Sequence, residues 1–294
     1  MYLKPFEYLL PLTWQEALTR KSELGAEAEV LAGGTDVMVK LQGGKKAPSF
    51  LLSLRKLEPV LRYIKEDGNG IEIGPMTTHD DLDRSSLLRS GYTALAEGAS
   101  LVGSPQIRHA ATIGGNICSA LPSADTCAPL IAFGGELTLS SLKGDRRIDA
   151  EDFFVGPGKS ILSEDELLKS IHLAPAERRS GSAYLKFGRR KAMEIALAGA
   201  TCFVAWEQEQ RVFRRVRIVL TSSAPTPWRC KEAEEILLGK RPTKDLLQAA
   251  AKQASAEAKP RSSFRSTEEY RRFLIVTLVL RALEKAIERA DMND

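Results

Sequence analysis

The 294-residue sequence is short of the side chains that most metal and redox centres require. Its four cysteines, Cys118, Cys127, Cys202 and Cys230, form no Cys-x-x-Cys pair, so neither a zinc site nor an iron–sulfur cluster has its usual spacing. Reduced, mostly buried thiols are expected. The three histidines, His79, His109 and His172, stand in no evident catalytic constellation. No apolar run approaches the roughly 18 residues of a membrane-spanning helix. The segment Met1-Tyr2-Leu3-Lys4-Pro5 lacks a basic stretch followed by an apolar core and a small-residue cleavage site, which makes cytoplasmic residence the expectation. The 42 Lys and Arg against 38 Asp and Glu are spread along the chain, so nucleic-acid binding is unsupported. Their densest stretch, Arg211, Arg214, Arg215 and Arg217 among Val212, Phe213, Val216 and Ile218, reads as a strand with one wet face. Gly-x-Gly-x-x-Gly and Gly-x-x-x-x-Gly-Lys-Ser/Thr are both missing, which removes the Rossmann and P-loop readings.

What is present is an ordinary globular composition, 43% hydrophobic and 27% charged, on a chain long enough for two domains that share a cleft. A capping box at Thr13-Trp14-Gln15-Glu16 starts a helix that stops near Gly25. A strand at 29–32 then runs into Gly33-Gly34-Thr35-Asp36, and a helix or turn over 36–41 ends in Gly43-Gly44. Strands are expected at 50–54, 71–74, 136–140 and 170–173, helices from Thr78 and over 93–102, a tight turn over 153–159, and at most a brief helix at 164–168. The stretch 103–128, rich in Gly, Ser, Pro and Thr, reads as a long functional loop. Polar, aperiodic residues 174–181 mark the boundary between a domain over 1–175 and another over 181–290. The second should hold a small antiparallel sheet, from runs at 183–189, 197–208 and 211–222, and helices over 230–238, 244–258 and 267–289. The last of these is expected to start at a capping box, Ser266-Thr267-Glu268-Glu269, and to bury Phe273, Val276, Leu280, Leu283 and Ile287.

Two segments carry the chemistry. Leu31-Ala32-Gly33-Gly34-Thr35-Asp36 and Ala111-Thr112-Ile113-Gly114-Gly115-Asn116 each place adjacent glycines between an apolar residue and a polar side chain. Successive N–H groups can then face an anion with no Cβ in the way, which suits a diphosphate. Thr35, Thr112 and Asn116 add side-chain donors at the same edge. Either pair alone would most often be an ordinary turn; two in one domain shift the balance toward a ligand.

Further motifs lie in order along the chain: Gly-Pro-Met-Thr-Thr at 74–78, Gly-Ser-Pro-Gln-Ile-Arg at 103–108, Ser-Ala-Asp at 123–125, Gly-Pro-Gly-Lys at 156–159 and Pro-Arg-Ser-Ser-Phe-Arg at 260–265. With the two glycine segments they resemble, over essentially the whole length, the FAD-binding subunit of bacterial molybdenum hydroxylases, in particular that of xanthine dehydrogenases. The resemblance implies an α+β fold: a vanillyl-alcohol-oxidase-type (PCMH-type) FAD-binding domain of two subdomains, then the C-terminal domain of CO dehydrogenase flavoproteins. It also implies that Val30, Leu31, Ala32, Gly33, Gly34, Thr35 and Asp36, with Thr112, Ile113, Gly114, Gly115 and Asn116, bind the diphosphate and ribityl chain of FAD. Asp125, Leu162 and Lys186 match positions near the cofactor, Leu162 as an apolar neighbour of the ring system and Lys186 as a polar contact.

Thr35 stands in the first segment and only His109 and Cys118 lie near the second, so FAD is expected to be held non-covalently. His109 reads as a surface or supporting residue beside Arg108, and Cys118 as a small buried filler. The implied partners are an iron–sulfur subunit with 2Fe-2S clusters and a large subunit with the molybdenum cofactor; the implied acceptor is NAD. On this reading the chain is an electron-transfer subunit. Two rivals stand beside it: a self-contained FAD-dependent oxidase, which needs a general base beside the ring, and a flavin-free scaffold.

Overall fold

The computed structural model describes residues 3–190, 192–207 and 210–293. Near its start, the strands Glu7–Leu9, Phe50–Ser53 and Ala28–Leu31 form a parallel sheet with Phe50–Ser53 in the middle. The helix Trp14–Leu24 makes the crossover between the two outer strands. Thr13 caps it, accepting from Glu16 N–H at 3.1 Å, but Glu16 accepts from Leu12 N–H rather than from the cap's own N–H, so the expected box is only half made. Gly25 ends the helix at φ 49°, in the left-handed region that favours glycine.

The second sheet is antiparallel, in the order Ile64–Asp67, Gly70–Ile73, Leu167–Leu173, Glu136–Ser141, Gly144–Asp149. Its two outer strands escape sequence reading because Lys65, Glu66, Asp67 and Asp145, Arg146, Arg147 give them no alternation. The run Leu167–Leu173 is strand throughout, so no brief helix reaches Leu168. The turn segment at 153–159 is a hairpin of Phe154–Gly156 and Lys159–Ser160.

The stretch 103–128 is not a loop. It folds into the short helices Pro105–Ala110 and Ile113–Cys118 and enters a third, Cys127–Ala132. Ser104 and Thr112 cap the first two through the N–H groups of Ile107 and Gly115. A glycine pair disfavours helix by about 1 kcal/mol per residue, but Ile113 and Ile117 are wholly buried and their packing outweighs that cost.

Beyond residue 180 the strands Ser180–Phe187, Ala198–Trp206, Phe213–Thr221 and Trp228–Arg229 form an antiparallel sheet, followed by helices Lys231–Leu237, Lys244–Glu257 and Glu268–Met292. Gln208, at the end of an expected strand, lies outside the described residues. All nine residues of Ala198–Trp206 are buried, because both faces of this sheet are covered. Cys202 and Val204 pack toward the long last helix, while Phe203 and Ala205 join the core of the first part. The expected domain change near 174–181 thus leads into a sheet that both cores share. Glu97, on the helix Thr93–Ser100, ties them further by accepting from Tyr184 N–H, Lys285 and Arg289.

Thr267 caps the last helix by accepting from Tyr270 N–H, so neither Glu268 nor Glu269 completes a capping box. Its buried stripe runs through Leu274, Ile275, Leu278, Val279, Ala282, Leu283, Ala286 and Ile287. Phe273, expected on that stripe, is 64% exposed. Among the described residues no helix is long and apolar enough to cross a membrane, and no group of His, Cys, Asp or Glu could hold a metal ion.

Candidate cofactor-binding site

The first glycine segment leaves the parallel sheet at the end of Ala28–Leu31 and turns into the helix Val37–Gln42. A Cβ on Gly33 would lie 1.9 Å from the carbonyl oxygen of Ala110, so only glycine lets this segment touch the chain entering the second one. Gly34 turns at φ 76°. Asp36 accepts from Ser119 at 2.8 Å, a second tie between the segments. The N–H groups of Gly33, Gly34, Thr35 and Asp36 meet no acceptor among the described residues. All residues from Glu29 to Met38 are only half-buried, Val30, Leu31 and Ala32 included. Four adjacent backbone donors on a half-exposed turn are thus left for solvent or a ligand, the kind of arrangement in which an anion can be received.

The second segment is built differently. Thr112 pairs with Thr78 in an isolated bridge, flanked by His79 N–H donating to Ala111 O and Ile113 N–H donating to Thr77 O. Gly114 N–H donates to Pro75 O, Gly115 N–H to the Thr112 hydroxyl, and Asn116 N–H to Thr112 O. A Cβ on Gly114 would sit 2.6 Å from Pro75 O, whereas one on Gly115 would meet only the Thr112 hydroxyl. Gly114 is therefore spent on packing, whereas a side chain at Gly115 would press only on the Thr112 hydroxyl. Asn116 accepts from the buried Thr126 hydroxyl at 2.8 Å, which leaves its side-chain NH2 without a partner among the described residues.

Next to Thr126 stands Asp125, almost wholly buried. It accepts from the Tyr184 hydroxyl at 2.6 Å and from Lys186 at 2.7 Å. Tyr184 and Lys186 are two apart on the strand Ser180–Phe187 and so share a face. Burial pushes the Asp125 carboxyl above the usual carboxylate range, against the opposing pull of Lys186 and Tyr184. Burial and the Asp125 charge also raise the Tyr184 phenol, which stays a neutral donor. Lys186 lines a cavity of about 310 Å³ with Leu101, Phe187, Arg189, Arg190 and Met193. A hollow of about 340 Å³ between Arg55 and Arg62 contains none of the residues singled out in the sequence, and Arg62 there is committed to Asp81 and Glu58. Leu162 is half-buried against the main core and its N–H donates to Ser160, so no hydrogen bond brings it to either glycine segment.

Sequence reading missed Tyr184, Thr126, Ser119 and the carbonyls of Pro75 and Thr77. Only Tyr184 left a signal, its two-residue spacing from Lys186. Of the histidines, His109 is exposed and lies 3.3 Å from Asp80, and His172 bonds Asn69 O. His79 is wholly buried with neither ring nitrogen bonded; burial, helped by Arg108, pushes it down to about 4. It is uncharged near neutrality. The four thiols are free, with three of them buried and Cys118 half-exposed at residue level; burial pushes the Cys118 thiol up to about 12.

Comparison with known proteins fits this layout. Residues 4–176 match the family model for the FAD binding domain in molybdopterin dehydrogenase, and residues 183–286 that for the CO dehydrogenase flavoprotein C-terminal domain. The carbon monoxide dehydrogenase medium chain of Hydrogenophaga pseudoflava is 34% identical, over 97% of this chain and 98% of that one. The xanthine dehydrogenase FAD-binding subunit of Escherichia coli O157:H7 is 32% identical, over 90% of each. The solved carbon monoxide dehydrogenase of Hydrogenophaga pseudoflava superposes with a TM-score of 0.93 over 98% of this chain and 99% of that one, at 34% identity. Quinoline 2-oxidoreductase of Pseudomonas putida 86, at 23% identity and a TM-score of 0.91 over 99% of each chain, shares the fold. The chain belongs to the FAD-binding subunits of the molybdenum hydroxylases, a family of oxidoreductases.

Proposed function

We propose that this chain holds one FAD non-covalently, takes electrons from a 2Fe-2S centre of a partner subunit, and passes them to NAD+ as hydride. The observation that carries the reading is the row of four unbonded N–H groups from Gly33 to Asp36, packed against the second glycine segment. On this reading residues 1–175 are the FAD-binding domain and 181–290 the CO dehydrogenase flavoprotein C-terminal domain. FAD, when bound, supplies the exchange between one-electron and two-electron chemistry. The chain's own residues bind and orient. Gly33 to Asp36 hold the diphosphate; Val30, Leu31 and Ala32 form the apolar floor; Thr112, Ile113, Gly114, Gly115 and Asn116 wall the ribityl side, with the Asn116 NH2 as donor. Lys186, fixed by Asp125 and the Leu101 carbonyl, presents an ammonium beside the cavity. Leu162 serves as an apolar neighbour of the ring system.

Relatives are named for carbon monoxide, xanthine and nicotinate dehydrogenases, so the compound oxidised differs between complexes that share this subunit. The organic substrate is then bound by a large molybdenum-containing partner, in the cytoplasm. A self-contained oxidase needs a base beside the flavin; His79 is buried and uncharged, and His109 and His172 are engaged elsewhere. Anaerobic mixing of the FAD-loaded chain with NADH should bleach the flavin, and xanthine should not. Bleaching by xanthine alone would move substrate oxidation into this chain; absence of bleaching by NADH would exclude NAD as the acceptor.

A further inference from the structure

Around the mouth of the Lys186 cavity several large apolar side chains are exposed next to one another. Phe187 on the cavity wall makes an edge contact with Tyr270, 6.4 Å between ring centroids, and Tyr270 stacks on Phe273 at 6.3 Å. The three rings make a continuous ridge from the cavity to the last helix, with Phe273 64% exposed and Met193 54% exposed. Phe264, 87% exposed, stands on the Ser263–Ser266 turn just before that helix. No described part of the chain covers these side chains, although the same helix buries its apolar residues elsewhere.

Charge is concentrated in the same place. The described residues of segments 187–195 and 259–273 carry seven Lys and Arg, of which only Arg271 is buried, against three Glu, a net of +4 that equals the net charge of the whole chain. Glu194 is committed to Arg190 and Glu268 to Arg272, while Arg189, Arg261 and Arg265 have no ion-pair partner among the described residues. An aromatic centre with a rim of uncompensated arginines has the composition of a protein interface, and its field favours a partner of opposite sign.

We propose that the Phe187–Tyr270–Phe273 ridge is the seat of the iron–sulfur partner, which meets it with an acidic, apolar-centred face. The inference rests on the proposed function, which sets the flavin beside Lys186: electron transfer falls off steeply with distance, so the donor must sit near the cavity that Lys186 and Phe187 line. Phe273 contacts the ridge but not the cavity, so a change there separates docking from flavin binding.

The test uses the native complex, purified through a tag on this chain, with flavin, iron and molybdenum measured per chain. Phe273→Glu should keep the wild-type flavin content and melting temperature and lose at least tenfold in retained iron–sulfur subunit; Phe273→Tyr should retain it. Arg265→Glu should slow association and flatten its salt dependence. Full retention of the iron–sulfur subunit by Phe273→Glu would overturn the assignment. So would loss of the molybdenum subunit with iron retained, loss of flavin, or release of a second copy of this chain as the sole change. A wild-type complex that carries flavin but no iron–sulfur protein would instead remove the electron-transfer reading on which the assignment depends.

Discussion

The two glycine pairs look alike in the sequence and do different work in the fold. At Gly33-Gly34 the backbone leaves a sheet, turns through a positive φ, and keeps four N–H groups unbonded. At Gly114-Gly115 the same dipeptide is the first turn of a short helix, with the N–H groups from Ile113 to Asn116 all bonded within the protein. A glycine pair thus marks a place where something comes close, and the hydrogen bonds decide whether that is a ligand or the protein itself. The first pair offers donors, while the second offers a Cβ-free wall and the Asn116 amide.

The sharpest way to break the comparison is to block the contact between the segments. Gly33→Ala puts a methyl carbon 1.9 Å from Ala110 O, where backbone faces it on a side that cannot relax by rotation. It should destabilise by about 3 kcal/mol and abolish flavin binding, read as a lower melting temperature and colourless protein. A stable yellow variant would mean that the segments do not touch. Gly34→Val should spare the fold but lose flavin, because left-handed backbone costs a side chain roughly 1–2 kcal/mol and a Cβ 3.2 Å from the Leu31 side chain would shift the turn that carries the free donors. Retention of stoichiometric flavin would contradict the donor assignment. Gly115 needs no positive φ, so Gly115→Val should weaken flavin binding without left-handed strain, and an unchanged melting temperature would show that the Thr112 cap beside it is intact.

Much of this was legible in the sequence, and the exceptions have physical reasons. The Gly-Gly segments, the Thr13 cap, the helix start at Thr78 and the C-terminal strands declare themselves through local propensity and alternation, while the last helix is capped one residue later than its Ser266-Thr267-Glu268-Glu269 pattern suggests. The short helices over 105–132 do not, because glycine and proline argue against helix and only the burial of Ile113, Ile117 and Leu130 tips the balance toward it. The edge strands Ile64–Asp67 and Gly144–Asp149 are too polar to show a period. The unequal duties of the two glycine pairs were invisible, since they depend on the carbonyls of Pro75 and Thr77, far upstream of the second pair in the sequence.

Smaller effects refine the wall side of the comparison. Lys186→Met leaves Asp125 buried without its cation, which costs about 3–5 kcal/mol at neutral pH. Burial already holds that carboxyl above its unfolded value, and loss of the ammonium raises it further. A raised carboxyl is penalised where the folded state must ionise it and relieved once it is protonated, so the deficit should shrink as pH falls from about 8 to 5. Melting curves in which the gap to wild type stays constant or widens on acidification would refute the pairing. Asn116→Ala removes one protein hydrogen bond and one donor to the ligand, each worth about 0.5–1.5 kcal/mol; it should weaken flavin binding severalfold in a titration without abolishing it.

The central claim is that the free N–H groups of the first segment, and not the bonded ones of the second, receive the diphosphate. Amide chemical shifts of the isotopically labelled chain, followed as FAD is added, test it directly. The largest downfield proton shifts are expected at Gly33, Gly34, Thr35 and Asp36, with Ile113 and Gly114 little changed because they remain bonded to Thr77 and Pro75. Large shifts at Ile113 and Gly114, with Gly33 to Asp36 unmoved, would contradict it.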